Sequence, residues 1–365
     1  MQSSFAIKSN KIGSIDAFFL QLTIALIVIG FIFISSASWY ESLRHYDNPW
    51  QFIFKHAVTA VLGIPLMLIA SFVHFRWLKK FAWPAVIATI VLLLLTAKFG
   101  TVTGGSRRWL TLGMFNLQVS EFAKIFSSLI ISKALFEKKN RIWAFLSVIV
   151  MALIVLKQPD LGTSILIMGA SVAALFASGF NLFLFTAGFA AFIALGWWQV
   201  QNTAYQMDRI KYWLDPYLDP KGHGYNLIQS IKAIASGGLW GVGFGGSFQK
   251  LGPLPVAYAD FIFAIICEEV GLLGAVALLC LFAGWIYRAM HICFNSHDEF
   301  GRVFGISLIS VFAVQVLINI GVVLGLFPVT GMPLPFVSYG GSSFLCCSFI
   351  AGIIMNISRH ASLEH

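Results

Sequence analysis

Long apolar stretches alternate with short polar ones along almost the whole chain. A helix needs about 20 apolar residues to cross the hydrocarbon core of a bilayer, and fewer where it borders a protected cavity. Ten stretches qualify as membrane spans: Ala17 to Trp39, Ala57 to Val73, Phe81 to Ala97, Phe122 to Phe136, Ile142 to Leu156, Leu161 to Ser178, Leu182 to Val200, Phe261 to Tyr287, Val303 to Phe327 and Ser342 to Ile357. The pattern therefore predicts an all-α polytopic membrane protein with about ten transmembrane helices.

Composition supports the same class. Of the 365 residues, 58% are hydrophobic and 11% are charged, whereas soluble domains are about 25% charged. Such a chain is too apolar for a water-soluble globule and too hydrophobic for a disordered protein. The net charge of +9 must be divided between the two sides of a membrane, so it gives no reason to expect nucleic acid as a partner.

Basic residues near the span ends predict the orientation. One set lies on a single side if the N-terminus is cytoplasmic: Lys8, Lys11, Arg76, Lys79, Lys80, Lys138, Lys139, Arg141, Arg288, Arg302 and Arg359. Ten spans return the C-terminus to the cytoplasm and leave one long extracytoplasmic loop, residues 201–259, between spans seven and eight. We expect a single membrane domain over residues 1–360, and we interpret residues 361–365 as a cloning or affinity-tag scar.

Several basic residues oppose this rule because they fall on the predicted outer side. They include Arg107, Arg108, Lys124, Arg209 and Lys232. One explanation is that long loops are translocated regardless of their charge. The other is functional: a basic outer surface would receive an anionic head group such as a pyrophosphate.

Three further polar features lie in or beside apolar segments. Glu121 and Lys124 are three residues apart on one helix face, where charge is costly and usually functional. Glu268 and Glu269 lie two turns inside the eighth span, and a structural ion pair is expected for at least one of them. The segments 237–246 and 328–343 are rich in Gly and Pro, which predicts non-helical backbone covered by protein or by a wet cavity. For the first segment, closely approaching backbone and a flexible hinge at a re-entrant segment are both open interpretations.

Asp260 stands at the outer start of the eighth span, and two interpretations of it are open. An aspartate at this place is a favourable helix N-cap on hydrogen-bonding and dipole grounds. Alternatively, it is a carboxylate at a membrane-facing cavity that accepts a proton from a hydroxyl nucleophile. Zinc-ligand spacing and a Ser-His-Asp arrangement are not found in the sequence, so neither zinc nor triad chemistry is indicated.

A series of motifs, in order, resembles the SEDS family of bacterial cell-wall enzymes (shape, elongation, division and sporulation). The motifs are GSRRWL, VSEFAK, QPDLGT, R-x-x-x-W-L-D-P, GYNLIQS, LPVAYADFIFAIICEEVGLLG and NIGVVLGLFPVTGMPLPFVSYGGSS. They span almost the whole chain. The Ser35-Ser36-Ala37-Ser38 end of the first span and the Leu-Asp-Pro segment are more similar to the division-type (FtsW-like) branch than to the elongation-type (RodA-like) branch.

The resemblance implies a peptidoglycan glycosyltransferase that polymerises lipid II at the outer leaflet, in the bacterial inner membrane and at the division septum. Asp260 matches the family's essential aspartate and would be the general base. Arg107, Arg108, Lys124, Arg209 and Lys232 would stabilise the undecaprenyl-pyrophosphate leaving group, and Glu121, Ser338 and Ser342 would help to line the cavity. Implied partners are a class B penicillin-binding protein, other division proteins and membrane lipids. The resemblance implies no specific cofactor, and assistance by a divalent cation stays open.

The chain departs from the family pattern at three positions. Val256 and Tyr258 stand where the family usually has Glu and His, and Val119 stands where it usually has Pro. The lost His removes a titratable neighbour of Asp260. Two rival functions also fit a ten-span protein: a flippase for lipid-linked precursors, and a non-catalytic division scaffold. Polar motifs gather outside while the cytoplasmic loops are short and simply basic, which favours chemistry on lipid that has already been flipped.

Overall fold

A computed structural model of the chain describes residues 13–103, 106–112, 115–179, 190, 193, 194, 196, 197 and 199–361. Its main helices are α1 (Ala17–Tyr46), α2 (Gln51–Phe72), α3 (Leu78–Phe99), α4 (Val119–Glu137), α5 (Arg141–Lys157), α6 (Leu161–Ala177), α7 (Ala204–Leu214), α8 (Tyr225–Gly237), α9 (Ile262–Phe294), α10 (Glu299–Val323) and α11 (Gly341–Ala361). Nine of the ten predicted spans coincide with α1–α6 and α9–α11. The seventh, Leu182 to Val200, lies largely outside the described residues, as do residues 362–365.

The helices differ in how well they are suited to cross a bilayer. Within the described ranges, six segments are long and apolar enough: α1, α2, the segment Phe75–Phe99 that contains α3, α9, α10 and α11. Helix α6 is apolar but has 17 residues, which corresponds to about 26 Å. Helix α4 carries charged side chains along its length. The chain is a multi-pass membrane protein in which α4 and α6 lie inside the bundle and contact each other.

The span ends that were predicted to be cytoplasmic meet at one end of the bundle. The Gly13 amide donates to the Arg359 carbonyl at 3.1 Å, and Arg288 pairs with Asp16. Arg76 pairs with Asp298, which joins the α2–α3 turn to the start of α10. This grouping is what the predicted topology requires, and the assignment of that end to the cytoplasm stays a prediction from the charges.

A small antiparallel sheet forms where the sequence predicted an Arg-bearing loop. Its strands are β1 (Thr101–Thr103), β2 (Ser106–Leu112) and β3 (Phe115–Leu117), in the order β1-β2-β3. In the register, Arg107 lies opposite Val102, and Leu110 lies opposite Leu117. The loop prediction was wrong because β1 and β3 have only three residues each, and the seven residues of β2 do not alternate between polar and apolar. The sheet fixes the direction in which Arg107 and Arg108 leave the backbone.

The glycine-rich segment after α8 docks onto a break in α9. The Val242 amide donates to the Glu268 carbonyl at 2.9 Å, and the Leu272 amide donates to the Gly238 carbonyl at 2.9 Å. Gly271 interrupts α9 with φ 67° and ψ −169°. Because Glu268 lies six residues past the start of α9, the docked segment reaches about 9 Å along that helix. The predicted non-helical backbone is therefore confirmed, and backbone groups of this segment bond to α9. That the segment is re-entrant in a membrane stays a prediction.

Two buried glutamates hold the same segment through their side chains. Glu269 pairs with Lys250 at 2.6 Å and accepts a hydrogen bond from the Ser36 hydroxyl at 2.6 Å. Glu268 accepts hydrogen bonds from the Ser247 hydroxyl and from the Phe248 amide at 3.1 Å. The predicted structural ion pair is confirmed for Glu269.

Candidate functional site

Asp260 does not cap the helix that follows it. Helix α9 begins at Ile262 after Phe261, and no side chain caps its first turn. The main chain of Asp260 is held instead by Asn319 of α10, whose amide nitrogen donates to the Asp260 carbonyl at 2.9 Å and to the Met332 carbonyl at 2.6 Å. The helix-cap interpretation is therefore wrong, and the carboxylate has no structural task in α9.

The carboxylate lies against the loop between α10 and α11, at the point where a glycine is required. Gly331 has φ 72°, and a Cβ atom added there would lie 3.4 Å from Oδ2 of Asp260. A side chain at this position would be strained by the backbone and would narrow the space at the carboxylate. Asn319, Met332 and Gly331 thus place Asp260 in a cleft between the start of α9 and this loop.

Burial and two arginines have opposite effects on the pKa of the Asp260 carboxyl. Burial raises the pKa of its carboxyl and the positive charges of Arg209 and Arg108 lower it, with a net pKa of about 6 instead of 3.8. At pH 7 a group with such a pKa is about nine-tenths ionised. The site therefore holds a carboxylate that is charged at neutral pH and is far more basic than an ordinary aspartate, which suits a general base.

The two arginines reach the site from separate elements. Arg209 lies on α7, and Arg108 lies on β2. The Arg108 guanidinium donates to the Gln158 carbonyl at 3.1 Å and also to the Pro159 carbonyl. These bonds tie the sheet to the turn before α6, where Asp160 caps the helix through the Thr163 amide at 3.1 Å.

The remaining predicted cations lie elsewhere. Arg107 is exposed and donates to the Lys98 carbonyl at 2.8 Å. Lys232 is exposed on α8. Neither contributes to the electrostatic environment of the Asp260 carboxyl. The structure brings Arg108 and Arg209 to the carboxylate and leaves Arg107 and Lys232 outside this group.

Glu121 and Lys124 form a buried polar network beneath the loop. Lys124 pairs with Glu121 at 2.9 Å and donates to the Gln315 side chain at 2.8 Å, and both charged residues are at most 2% exposed. Gln315 in turn donates to the Pro333 carbonyl at 2.9 Å. The network connects α4 and α10 to the loop that carries Gly331. Its direct contact with substrate stays a prediction.

Ser338 and Ser342 are also buried, and both bond to main-chain groups. The Ser338 hydroxyl accepts from the Leu334 amide at 2.8 Å. The Ser342 hydroxyl accepts from the Gln118 amide at 2.9 Å, at the start of α4. They fix the course of the loop around Asp260, and their role as substrate ligands is likewise still a prediction.

A family model described as "Cell cycle protein", for FtsW, RodA and SpoVE, matches residues 16–363. The chain belongs to the FtsW/RodA/SpoVE family. Stage V sporulation protein E of Bacillus subtilis is 36% identical, over 97% of this chain and 99% of its own. A protein of Trichlorobacter lovleyi named "Probable peptidoglycan glycosyltransferase FtsW" is 34% identical, over 98% of this chain and 96% of its own. The FtsW-named relatives confirm the predicted resemblance to the division-type branch.

Solved structures of FtsW/RodA/SpoVE-type chains share the fold. A chain from a structure described as "Structural coordination of polymerization and crosslinking by a peptidoglycan synthase complex" has a TM-score of 0.78 and 28% identity, over 96% of this chain and 99% of that chain. The rod shape determining protein RodA of Thermus thermophilus has a TM-score of 0.70 and 26% identity, over 96% and 98% of the two chains. The all-α polytopic fold predicted from the sequence is confirmed.

Tyr258 fills the place of the histidine expected in the FtsW/RodA/SpoVE pattern. Its ring packs against Phe52 at 4.5 Å and Tyr339 at 5.5 Å between centroids. Burial raises the pKa of its hydroxyl well above the usual value for tyrosine. Tyr258 therefore stays neutral and serves as packing beside Asp260, and no second titratable base stands in its place.

Two functional residues were missed by the sequence reasoning, Asn319 and Gln315. Both are polar side chains within the apolar pattern of α10, a signal that normally marks a cavity or an interhelical bond. Among the described residues, no three His, Cys, Asp or Glu side chains meet in a group that could hold a metal ion. The mechanism proposed below routes no step through a metal.

Proposed function

We propose that the chain is a peptidoglycan glycosyltransferase that polymerises lipid II into glycan strands at the outer leaflet. The observation that carries this proposal is the Asp260 carboxylate, which lies against Gly331, does not cap α9 and is acted on by the positive charges of Arg108 and Arg209. The FtsW relatives, which are named as peptidoglycan glycosyltransferases, and the similar chain of the peptidoglycan synthase complex support the same reaction class.

In this reaction Asp260 acts as the general base. The acceptor sugar's 4-hydroxyl gives its proton to the carboxylate as its oxygen attacks the anomeric carbon of the donor. The bond from that carbon to the pyrophosphate oxygen breaks, and its electron pair leaves with undecaprenyl pyrophosphate. General-base assistance of this kind contributes about 10²- to 10⁴-fold to the rate.

Arg108 and Arg209 have two effects on the same step. Their charges stabilise the negative charge that grows on the leaving pyrophosphate, which favours the transition state over the ground state. They also keep Asp260 ionised at neutral pH despite its burial. Arg108 is held rigidly by two main-chain carbonyls, so little side-chain freedom is lost when it binds an anion. We expect Arg108→Ala to weaken the use of the donor at limiting lipid II.

The cellular setting follows from the same comparisons. We propose that a class B penicillin-binding protein supplies crosslinking beside this chain, since the similar peptidoglycan synthase complex coordinates polymerisation with crosslinking. Action at the division septum with other division proteins, in the bacterial inner membrane, fits the FtsW-named relatives.

Polymerisation by the purified chain tests this proposal against its rivals. Wild type and Asp260→Asn are reconstituted in vesicles with lipid II, each with and without a class B penicillin-binding protein, and both glycan formation and lipid II translocation are measured. Asp47→Asn is a matched control, because Asp47 is exposed and adopts a left-handed conformation that Asn tolerates equally well.

The three functions give different results. A polymerase makes glycan in wild type and Asp47→Asn and loses it in Asp260→Asn. A flippase moves lipid II between leaflets in all three proteins without forming glycan. A scaffold does neither while still binding its partner. Normal polymer from Asp260→Asn would refute the base assignment.

A further inference from the structure

A cavity of about 360 Å³, lined by both apolar and polar side chains, lies between α7 and α8. Its lining includes Arg209, Tyr212, Trp213, Asp219, His223 and Asn226. This volume lies within the range of roughly 300–1,000 Å³ typical of small-ligand sites, which are mostly apolar with a few placed polar groups. The mechanism above uses only its Arg209.

Aromatic surfaces dominate one part of the cavity, and they are held in place. The rings of Tyr212 and His223 stack with centroids 5.0 Å apart and planes 6° apart. The Trp213 indole donates to the Gly325 carbonyl at 2.8 Å, which fixes its ring. Rigid aromatic side chains offer large amphipathic contact surfaces at little cost in conformational entropy.

The polar groups in the cavity nearly balance in charge. Arg209 is positive and Asp219 is negative, and the Asn226 amide adds both a donor and an acceptor. The Asp219 carboxylate accepts from the Gly222 and His223 amides at 3.0 Å each, and its remaining lone pairs stay available to hydroxyl donors. A phosphate site would present a surplus of cations. This set instead matches a neutral ligand with many hydroxyl and amide groups and flat apolar faces.

The cavity lies close to the Asp260 carboxylate. Val329 lines the cavity, and Gly331, two residues further along, lies against the Asp260 carboxylate. Two residues of extended chain span at most about 7 Å. Arg209 lines the cavity and also acts on the Asp260 carboxyl. A polymer whose end reacts at Asp260 therefore passes this cavity within one or two of its units.

From this juxtaposition we propose that the cavity between α7 and α8 binds an N-acetylhexosamine ring of the growing glycan, next to the ring that reacts at Asp260. The assignment rests on the proposed glycosyltransferase function. The aromatic side chains pack on the apolar face of the sugar, and Asn226 and Asp219 bind its hydroxyl and acetamido groups. The cavity retains the strand between additions and so sets the length of the product.

Two measurements on the full chain, purified with its class B partner, test this assignment. The first is the affinity for a soluble β-1,4-linked tetramer of N-acetylglucosamine, by calorimetry, with inorganic pyrophosphate as the alternative probe. The second is the length of glycan made from lipid II. The variants are Tyr212→Leu and Asn226→Ala, so that a folding defect in one leaves the other informative. Tyr217→Ala is the matched control, since Tyr217 is 74% exposed and does not line the cavity.

We expect each cavity variant to weaken tetramer binding about tenfold, the loss of one aromatic contact or one polar partner. Both should also give shorter glycan, while Tyr217→Ala matches wild type. Unchanged tetramer binding in both variants, or a selective loss of pyrophosphate binding, would overturn the assignment. Because binding requires no catalysis, Asp260→Asn should still bind the tetramer. If wild type polymerises lipid II and the cavity variants make glycan of the same length, only the assignment of the cavity is refuted. If wild type binds the tetramer but never polymerises lipid II, the proposed function is refuted.

Discussion

The pH dependence of glycan formation follows directly from the environment of Asp260. A general base must be deprotonated to work, and burial raises the pKa of this carboxyl to about 6. Because the folded-state pKa is raised, the protonated and inactive form persists to a higher pH than it would for an ordinary aspartate. Activity is therefore complete above this pKa and is lost as the pH falls through about 6.

The expected size of the effect is large enough to measure. With a pKa of about 6, the ionised fraction falls from about ten elevenths at pH 7 to about one eleventh at pH 5, a tenfold loss of kcat/KM. An aspartate with the unshifted pKa of 3.8 would remain more than about nine-tenths ionised at pH 5 and would lose almost nothing.

The arginines provide an internal check on this reasoning. Removing the charge in Arg108→Gln should move the acid limb to higher pH, because Arg108 lowers the pKa of Asp260. Arg107→Gln is the matched control. It removes the charge of the adjacent residue on β2, which is not among the charges that shift the pKa of Asp260. The acid limb of its pH profile should therefore lie at the same pH as that of wild type, even if its maximal rate differs.

The pH profile comes from initial rates with fluorescent lipid II at limiting substrate, in buffers of constant ionic strength. The rates are measured between about pH 4.5 and 8, an interval of about two units around the predicted acid limb. We predict a tenfold loss of rate between about pH 7 and pH 5. A rate that does not change over this interval would refute the assignment of Asp260 as the base. An acid limb that stays in place in Arg108→Gln would refute the electrostatic role of Arg108.

Substitutions at three places test the scaffold around the carboxylate. Asn319→Leu removes the donors to two main-chain carbonyls. The free energy of unfolding, measured by thermal unfolding in detergent, should therefore fall by about 2–5 kcal/mol, and the polymerisation rate should fall with it. Gly331→Ala should lower the free energy of unfolding by about 1–3 kcal/mol, because a side chain is strained at φ 72°. It should also lower the polymerisation rate, because the added Cβ atom lies 3.4 Å from the Asp260 carboxylate. An unchanged rate would contradict the cleft geometry. Lys124→Met leaves Glu121 charged and unpaired at 2% exposure, and should destabilise the fold by about 3–5 kcal/mol. The double variant with Glu121→Leu should recover much of that loss in the same unfolding assay.

The helical part of the fold could be predicted because a membrane span is determined by a local stretch of apolar residues. Apolar length alone placed the starts of α1, α9 and α11 within about one residue of those observed, whereas all three helices extend beyond the predicted ends. The sheet at 101–117 could not be predicted, since its strands depend on pairing with each other rather than on a periodic pattern. The break in α9 was likewise hidden, because a single glycine at 271 gives no sign that another segment will bond to the exposed backbone.

The candidate site was only partly readable from the sequence. Asp260 stood out through its motif and its place at the end of a span. The positioning role of Asn319 depends on a contact between residues 59 positions apart, and it was invisible without the fold. The distinction between Arg108, which lies near the carboxylate, and Arg107, which does not, arises from strand alternation in a sheet that the sequence did not reveal.

The most direct test of the account is the rate of the first glycosidic bond in a single turnover, with wild type and Asp260→Asn compared at saturating lipid II and pH 7.5 (about 1.5 units above the predicted pKa of the base). Release of undecaprenyl pyrophosphate serves as the signal. We predict that the substitution slows this step by about 10²- to 10⁴-fold, the contribution of a general base, while lipid II binding is retained. A single-turnover rate within a factor of about three of wild type, well below that contribution, would contradict the central claim that Asp260 takes the proton.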